Sequence, residues 1–183
     1  PEAIAWVQAH GAELVTGVTD STRAAIRALV EAAFREGRSP DLLAREVREV
    51  VGLTERQGRA VERFRTRLIE DGVATDAVER RAGKYAEAQL RYRSQMISRT
   101  ETLEASNAGQ QALWDDARAQ GLLDPQQTRR VWIATMDDRL EQNCEALDGV
   151  EVGLSDPWRS EGRDVMRPPL HVACRCATGL IFR

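Results

Sequence analysis

A chain of 183 residues, 42% apolar and 30% charged, is long enough for a sizeable core and too rich in apolar residues for disorder. No apolar run approaches the roughly 20 residues that span a bilayer, and the opening PEAIAWVQAH lacks the basic start and apolar block of a signal peptide. Net charge is −3 and Lys84 is the one lysine among 26 basic residues, so the cationic surface is guanidinium, suited to forked contacts with carboxylates and phosphates.

From Glu2 to about Glu36 the residues Ile4, Val7, Leu14, Val18, Ile26, Leu29, Val30 and Phe34 recur at helical spacing, with a break near TDST (19–22), and Gly37 supplies a stop. Ser39 followed by Pro40 is an N-cap with proline at the first helical position, opening a stripe that ends at Gly52. Thr54 and Gln57 form a capping box for a helix ending at Gly72. Along it Arg56, Arg59, Arg63, Arg65 and Arg67 alternate with Glu55, Glu62, Glu70 and Asp71. That mixture reads as a solvated, ion-paired face rather than a nucleic-acid surface, which would be an uncompensated basic patch. Asp76 with Glu79 starts a further helix, and no proline follows until Pro125. The span predicts one helix of some 40 residues, interrupted or bent near Gly109, long enough to need support from a partner or another module.

After Gly121 the pattern changes. TRRVWIATM, VEVGL and CATGLIFR read as strands, separated by the turn signals LDGV, SDPW, SEGR and RPPL. The fold class is therefore α+β, with a mostly helical region over 1–121 and a small antiparallel sheet module over 122–183 onto which the helix around 97–110 packs. So small a sheet has little core of its own.

His171, Cys174 and Cys176 form H-x2-C-x-C, and Cys144 lies about 30 residues upstream. The set offers one imidazole and three thiolates, which suits a structural zinc closing a loop too poor in apolar residues to fold alone. A disulfide from Cys144 to Cys174 or Cys176, or buried free thiols, are the alternatives. Three cysteines cannot all pair within one chain, which favours a reducing compartment. A thiolate nucleophile with His171 as base and Asp137 or Asp148 orienting it is disfavoured, since no glycine-rich oxyanion turn adjoins either local cysteine. Phosphate-binding loops, metalloprotease helices and dinucleotide fingerprints are absent from the sequence.

Several separated stretches occur together in one known pattern: ISRTETLEASNAGQ, RVWIATMDDRL, NCEALDG and PPLHVACRC, in that order over Ile97–Cys176. The chain resembles the phage Mu F-like head morphogenesis proteins, the minor capsid proteins of tailed phages. The resemblance assigns Arg99, Thr100, Glu101 and Asn107 to a helix signature. It assigns Trp132, Asp137, Arg139, Cys144, Asp148 and Gly149 to the central part, and Pro169, His171, Cys174, Arg175 and Cys176 to the end. Arg99 and Glu101 are not at i,i+4 spacing and point to different sides of a helix, so each is expected to pair across helix and sheet, with Asp137 or Arg139 as partners. Asp148 and Gly149 form a tight turn. Where the family often has proline after the histidine, this chain has Val172 and Ala173.

The resemblance implies a structural role without enzymatic activity: a component of the phage head interior, present in multiple copies, made in the bacterial host cytoplasm or encoded by a prophage. It implies partners in the portal protein or the major capsid protein, and a part in head assembly or DNA delivery. The helical region is the surface for that docking, and its mixture of arginine and acid would let it lie near packaged DNA without binding tightly. Relatives that carry a C-terminal enzyme or toxin domain place it after this module, and none is expected in a chain ending at Arg183. The alternatives are a zinc-stabilised nucleic-acid-binding module and a cysteine-dependent enzyme.

Overall fold

The computed structural model describes residues 2–11, 15 and 17–183. The helices are Glu2–His10 (α1), Asp20–Glu36 (α2), Pro40–Val50 (α3), Glu55–Glu70 (α4), Thr75–Ala119 (α5) and the single turn Gln142–Glu145 (α6). The strands are Thr128–Ile133 (β1), Glu151–Gly153 (β2), Trp158–Ser160 (β3), Arg163–Val165 (β4) and Ala177–Phe182 (β5). The fold is α+β, as the sequence predicts. Two compact units are formed, one of Ala12–Arg99 and one of Pro1–Gly11 with Thr100–Arg183. The expected boundary at Gly121 marks where helix gives way to strand. The units divide earlier, inside α5, because Thr100 and Gln111 hydrogen-bond to the segment that follows.

In the helical unit each start has a chemical cause. Thr19 caps α2 by accepting the Thr22 N–H, so the stretch predicted over 2–36 is two helices; Leu14 lies outside the described residues. Ser39 caps α3 with Pro40 behind it, and the Thr54–Gln57 capping box opens α4. Ile26, Val30, Leu43, Val47, Val61, Leu68, Val78 and Ile97 are buried, one apolar stripe per helix. Surface arginines pair with acids one turn away, Arg35 with Glu31, Arg59 with Glu55, Arg80 with Asp76 and Arg65 with Glu62, and Arg65 also reaches Glu79 on α5. The ion-paired face expected along α4 is present at Arg59 and Arg65.

Helix α5 runs unbroken for 45 residues, and Gly109 does not interrupt it. Its missing side chain serves close packing instead: a Cβ there would lie 2.9 Å from the Cβ of Ala3 and 3.0 Å from that residue's nitrogen. Glycine is the residue that admits so near an approach of a second helix.

In the second unit, β1 is the centre of an antiparallel sheet of order β2-β1-β5, with Arg129 opposite Gly153 on one side and Ile181 on the other. β3 and β4 make a separate hairpin through Glu161 and Gly162, both at positive φ. This hairpin is not among the strands predicted. Its strands have three residues each and carry Arg159, Arg163 and Asp164, so neither propensity nor alternation marks them. The core comprises Trp132, Ala134, Cys144, Leu147, Trp158, Cys174 and Cys176. Three of those seven are cysteines, which makes the fate of their sulfur atoms central to how the unit holds together.

Candidate metal centre

The prediction that Cys144 and the C-terminal H-x2-C-x-C meet rests on two local structures. Leu147 and Asp148 N–H groups bond back to Cys144 and Glu145 carbonyls, so α6 closes into a turn that carries Cys144 inward. The following Asp148–Gly149 turn docks on the end of β1: Gly149, at a φ of 72°, donates to the Trp132 carbonyl, and Asp148 Oδ1 accepts the Ala134 N–H at 2.8 Å. That φ favours glycine, and the turn predicted there is present. On the other side, Cys174 N–H turns back to the His171 carbonyl, after the Pro168–Pro169 bond, which is cis.

The helix signature holds this ligand loop. Thr100 Oγ1, 2% exposed, accepts the Ala173 N–H at 3.0 Å. Ala173 has a φ of 65°, a conformation closed to proline, whose ring fixes φ near −65°. Arg175, between the two cysteines, forms a forked ion pair with Asp137: Nη2 donates to Oδ1 at 2.6 Å and Nη1 to Oδ2. Asp137 Oδ1 also accepts the Arg139 N–H at 2.9 Å. The Arg175 hydrogen bonds hold the Asp137 carboxyl well below the usual carboxylate range and raise the Arg175 guanidinium in turn.

This corrects the expected pairing of Arg99 with Asp137 or Arg139. Arg99 faces Asp41 at 3.7 Å within the helical unit, and Asp137 is taken by Arg175. Glu101 is 1% exposed and so is no solvated charge. Asn107 is buried, its Nδ2 donating to the Leu103 carbonyl one turn back.

The ligand atoms of Cys144, His171 and Cys174 all lie within 4.8 Å of one another. Cys144 Sγ is 3.2 Å from His171 Nε2 and 3.9 Å from Cys174 Sγ. His171 Nδ1 sits 2.9 Å from the Val172 carbonyl oxygen and 3.3 Å from Glu141 Oε1. Both neighbours accept, so the ring proton belongs on Nδ1 and Nε2 directs its lone pair inward, the outer-shell arrangement that orients metal-binding imidazoles. Cys176 does not belong to the mutual set of three. It is 2% exposed and lines the same cavity of about 10 Å³ together with Cys144, His171 and Cys174, a space of the size one small atom needs.

Electrostatics separate the three thiols. A hydrogen bond from Cys176 draws the Cys174 thiol down to about 5 against its burial, while that contact and burial hold Cys176 up. Burial pushes the Cys144 thiol up to about 11. A bound metal cation would offset that desolvation, since metal coordination stabilises thiolates. Four-coordinate zinc with Zn–S bonds of about 2.3 Å sets its sulfurs about 3.8 Å apart, close to the Cys144–Cys174 separation. Cys144, His171 and Cys174 therefore lie close enough together to bind a metal ion.

Sequence reasoning missed the group that organises the rest of the unit. Arg130 on β1 is fully buried. Its guanidinium donates to Gln111 Oε1 at 2.5 Å and to the carbonyls of Met166 at 2.8 Å, Asp156 at 2.5 Å and Gly153 at 3.4 Å. It lies 4.6 Å from the centre of the Trp158 ring, which meets Trp132 edge-on at 5.3 Å. Burial lowers the Arg130 pKa, with Asp115 and Asp156 opposing. The signal was present in the alternation: Thr128, Arg130 and Trp132 all face inward.

Residues 24–179 match the phage Mu protein F like protein family. The chain belongs to that family. No curated protein and no solved structure matches it. In this Mu F-like protein the signature stretches turn out to be fasteners: Thr100 on the ligand loop, Asp137 on Arg175, Asp148 on the end of β1. The family is one of phage head morphogenesis proteins, and among the described residues no helix is long and apolar enough to cross a membrane.

Proposed function

We propose that this Mu F-like protein is a non-enzymatic minor component of the phage head interior, associated with the portal, in which one zinc ion fastens the C-terminal unit. Cys144, His171 and Cys174 would hold the metal, with Cys176 as the fourth donor. The zinc supplies closure of the loop between residues 144 and 171 and neutralises buried thiolates. The observation that carries this reading is the convergence of three ligand atoms within 4.8 Å inside the unit's own core. Burial supports a structural over a catalytic thiol: Cys144 and Cys174 are 1% and 4% exposed, whereas nucleophilic cysteines sit partly open to substrate.

Native mass spectrometry of the reduced protein tests the metal. One zinc per chain that is lost on Cys144→Ser supports it, and folded metal-free protein overturns it. Co-expression with the phage's portal protein tests the partner. Co-purification with the portal ring supports the placement, and a chain absent from purified heads sinks it.

A further inference from the structure

The helical unit carries a cleft of about 480 Å³ between α3 and α5. Helical spacing builds it: Asp41, Arg45 and Arg48 share one face of α3, and Arg91, Gln95 and Arg99 share one face of α5, each set near i, i+4, i+8. Four arginines therefore converge on one concavity whose lining contains a single acid, Asp41. Outside the cleft, Arg35, Arg59 and Arg80 are each matched by an acid one turn away. In the cleft Arg99 meets Asp41 at 3.7 Å and Arg48 meets Glu49 at 3.7 Å, both loose and exposed. Arg45 and Arg91 are exposed and have no acidic oxygen within 4.0 Å among the described residues.

We infer that this cleft is a binding site for the phosphodiester backbone of double-stranded DNA. Guanidinium forks match phosphate oxygens in pairs, and four arginines against one carboxylate leave a local excess of positive charge in a chain whose net charge is −3. A site for an acidic peptide would add apolar pockets to anchor side chains. This lining offers only Ala44. The inference rests on the placement of the protein inside the head, where packaged DNA is the surrounding polyanion. It goes beyond the sequence-based expectation that the arginine-and-acid surface stays near DNA without binding tightly.

The test is fluorescence anisotropy of the full chain with a labelled DNA duplex over a salt series. Four phosphate contacts predict that affinity falls about 100-fold between about 50 and 200 mM salt, and about 10-fold for the Arg45→Gln/Arg91→Gln double variant. Arg56→Gln/Arg63→Gln, which removes equal charge from exposed positions on α4, should leave the affinity within about twofold and the salt slope unchanged. Inorganic phosphate should compete only at millimolar levels, as a single-phosphate ligand. Equal losses in the two double variants overturn the cleft in favour of diffuse charge. Tighter binding of a glutamate-rich peptide than of the duplex at the same salt overturns it in favour of a protein partner, and tighter binding of inorganic phosphate overturns the duplex as ligand. Co-purification of Arg45→Gln/Arg91→Gln with the portal keeps the head placement intact whichever way the DNA result falls, and its loss in the unmodified chain sinks that placement instead.

Discussion

The two units of this chain are held together by different chemistry. Ala12–Arg99 is a set of capped helices whose buried positions are mostly Ile, Val, Leu and Ala, with Arg93, Ser94 and Ser98 the buried polar residues, and whose exposed charges include i,i+4 pairs such as Arg35 with Glu31 and Arg59 with Glu55. Pro1–Gly11 with Thr100–Arg183 has a core of seven residues, three of them cysteine, and buries Arg130, Glu101 and Thr100 beside it. The first kind of unit depends on apolar area, which mutation removes by increments. The second depends on a few polar fastenings, each of which fails as a whole, because a buried partner left alone keeps its full desolvation penalty. All four tryptophans, Trp6, Trp114, Trp132 and Trp158, fall in the second unit, so tryptophan fluorescence reports that unit alone, whereas the helical circular dichroism comes mostly from the first.

The comparison breaks most sharply at the metal. If zinc fastens the second unit as proposed, stripping it with a strong chelator should unfold that unit at ambient temperature, because metal affinity in such sites is folding free energy of order 10 kcal/mol. The expected record is a red shift in tryptophan emission with most of the helical signal retained. Unshifted emission after verified zinc loss would show that the apolar core suffices.

Arg130→Met comes next. It removes the donor from three backbone carbonyls and Gln111 Oε1 while keeping much of the volume. A loss of about 3–5 kcal/mol is expected, the range for breaking a buried charged network on one side. Denaturant unfolding followed at the tryptophans measures it, and a loss under about 1 kcal/mol would show the carbonyls rehydrated. In the helical unit the largest comparable change is smaller: Leu43→Ala, at a fully buried site, should cost about 2–4 kcal/mol by loss of transfer energy and cavity formation. Its effect should appear in the circular dichroism midpoint more than in the fluorescence.

The same contrast explains what could be read in advance. The helical unit was legible because its determinants are local: Ser39 before Pro40, Thr54 three residues before Gln57, and apolar residues at 3.6-residue spacing. Strands β1, β2 and β5 were legible for the same reason. In the second unit the donors could be named, but their grouping depends on contacts such as Thr100 to Ala173 and Asp137 to Arg175, separated by 73 and 38 residues. No spacing rule predicts those. Arg130 was hidden because an arginine in a strand is ordinarily taken as the exposed member of the alternation. The expected pairing of Arg99 with Asp137 failed because helical spacing tells which side of a helix a charge takes but not which charge stands opposite it: Arg99 meets Asp41 and Asp137 meets Arg175.

The smallest expected effect tests whether the surface of the second unit shares the fastening logic of its interior. Asp137 is bound by Arg175, and its carboxyl is held below the ordinary range of about 4. A depressed folded-state pKa means that the pair's contribution is present above the unfolded value and is lost as pH falls through the ordinary carboxylate range toward the folded one. Stability of the zinc-loaded protein at neutral pH should therefore exceed that of Asp137→Asn, with the two converging below about pH 4. The comparison is a difference between variants at each pH, so proton competition for the metal thiolates cancels to the extent that both chains carry the same site. The gap at neutral pH should shrink in high salt if Asp137 acts only as an exposed charge. A gap that persists in salt would mean that the forked pair acts by fixing the backbone between Cys174 and Cys176. Lower zinc affinity in Asp137→Asn would then accompany it.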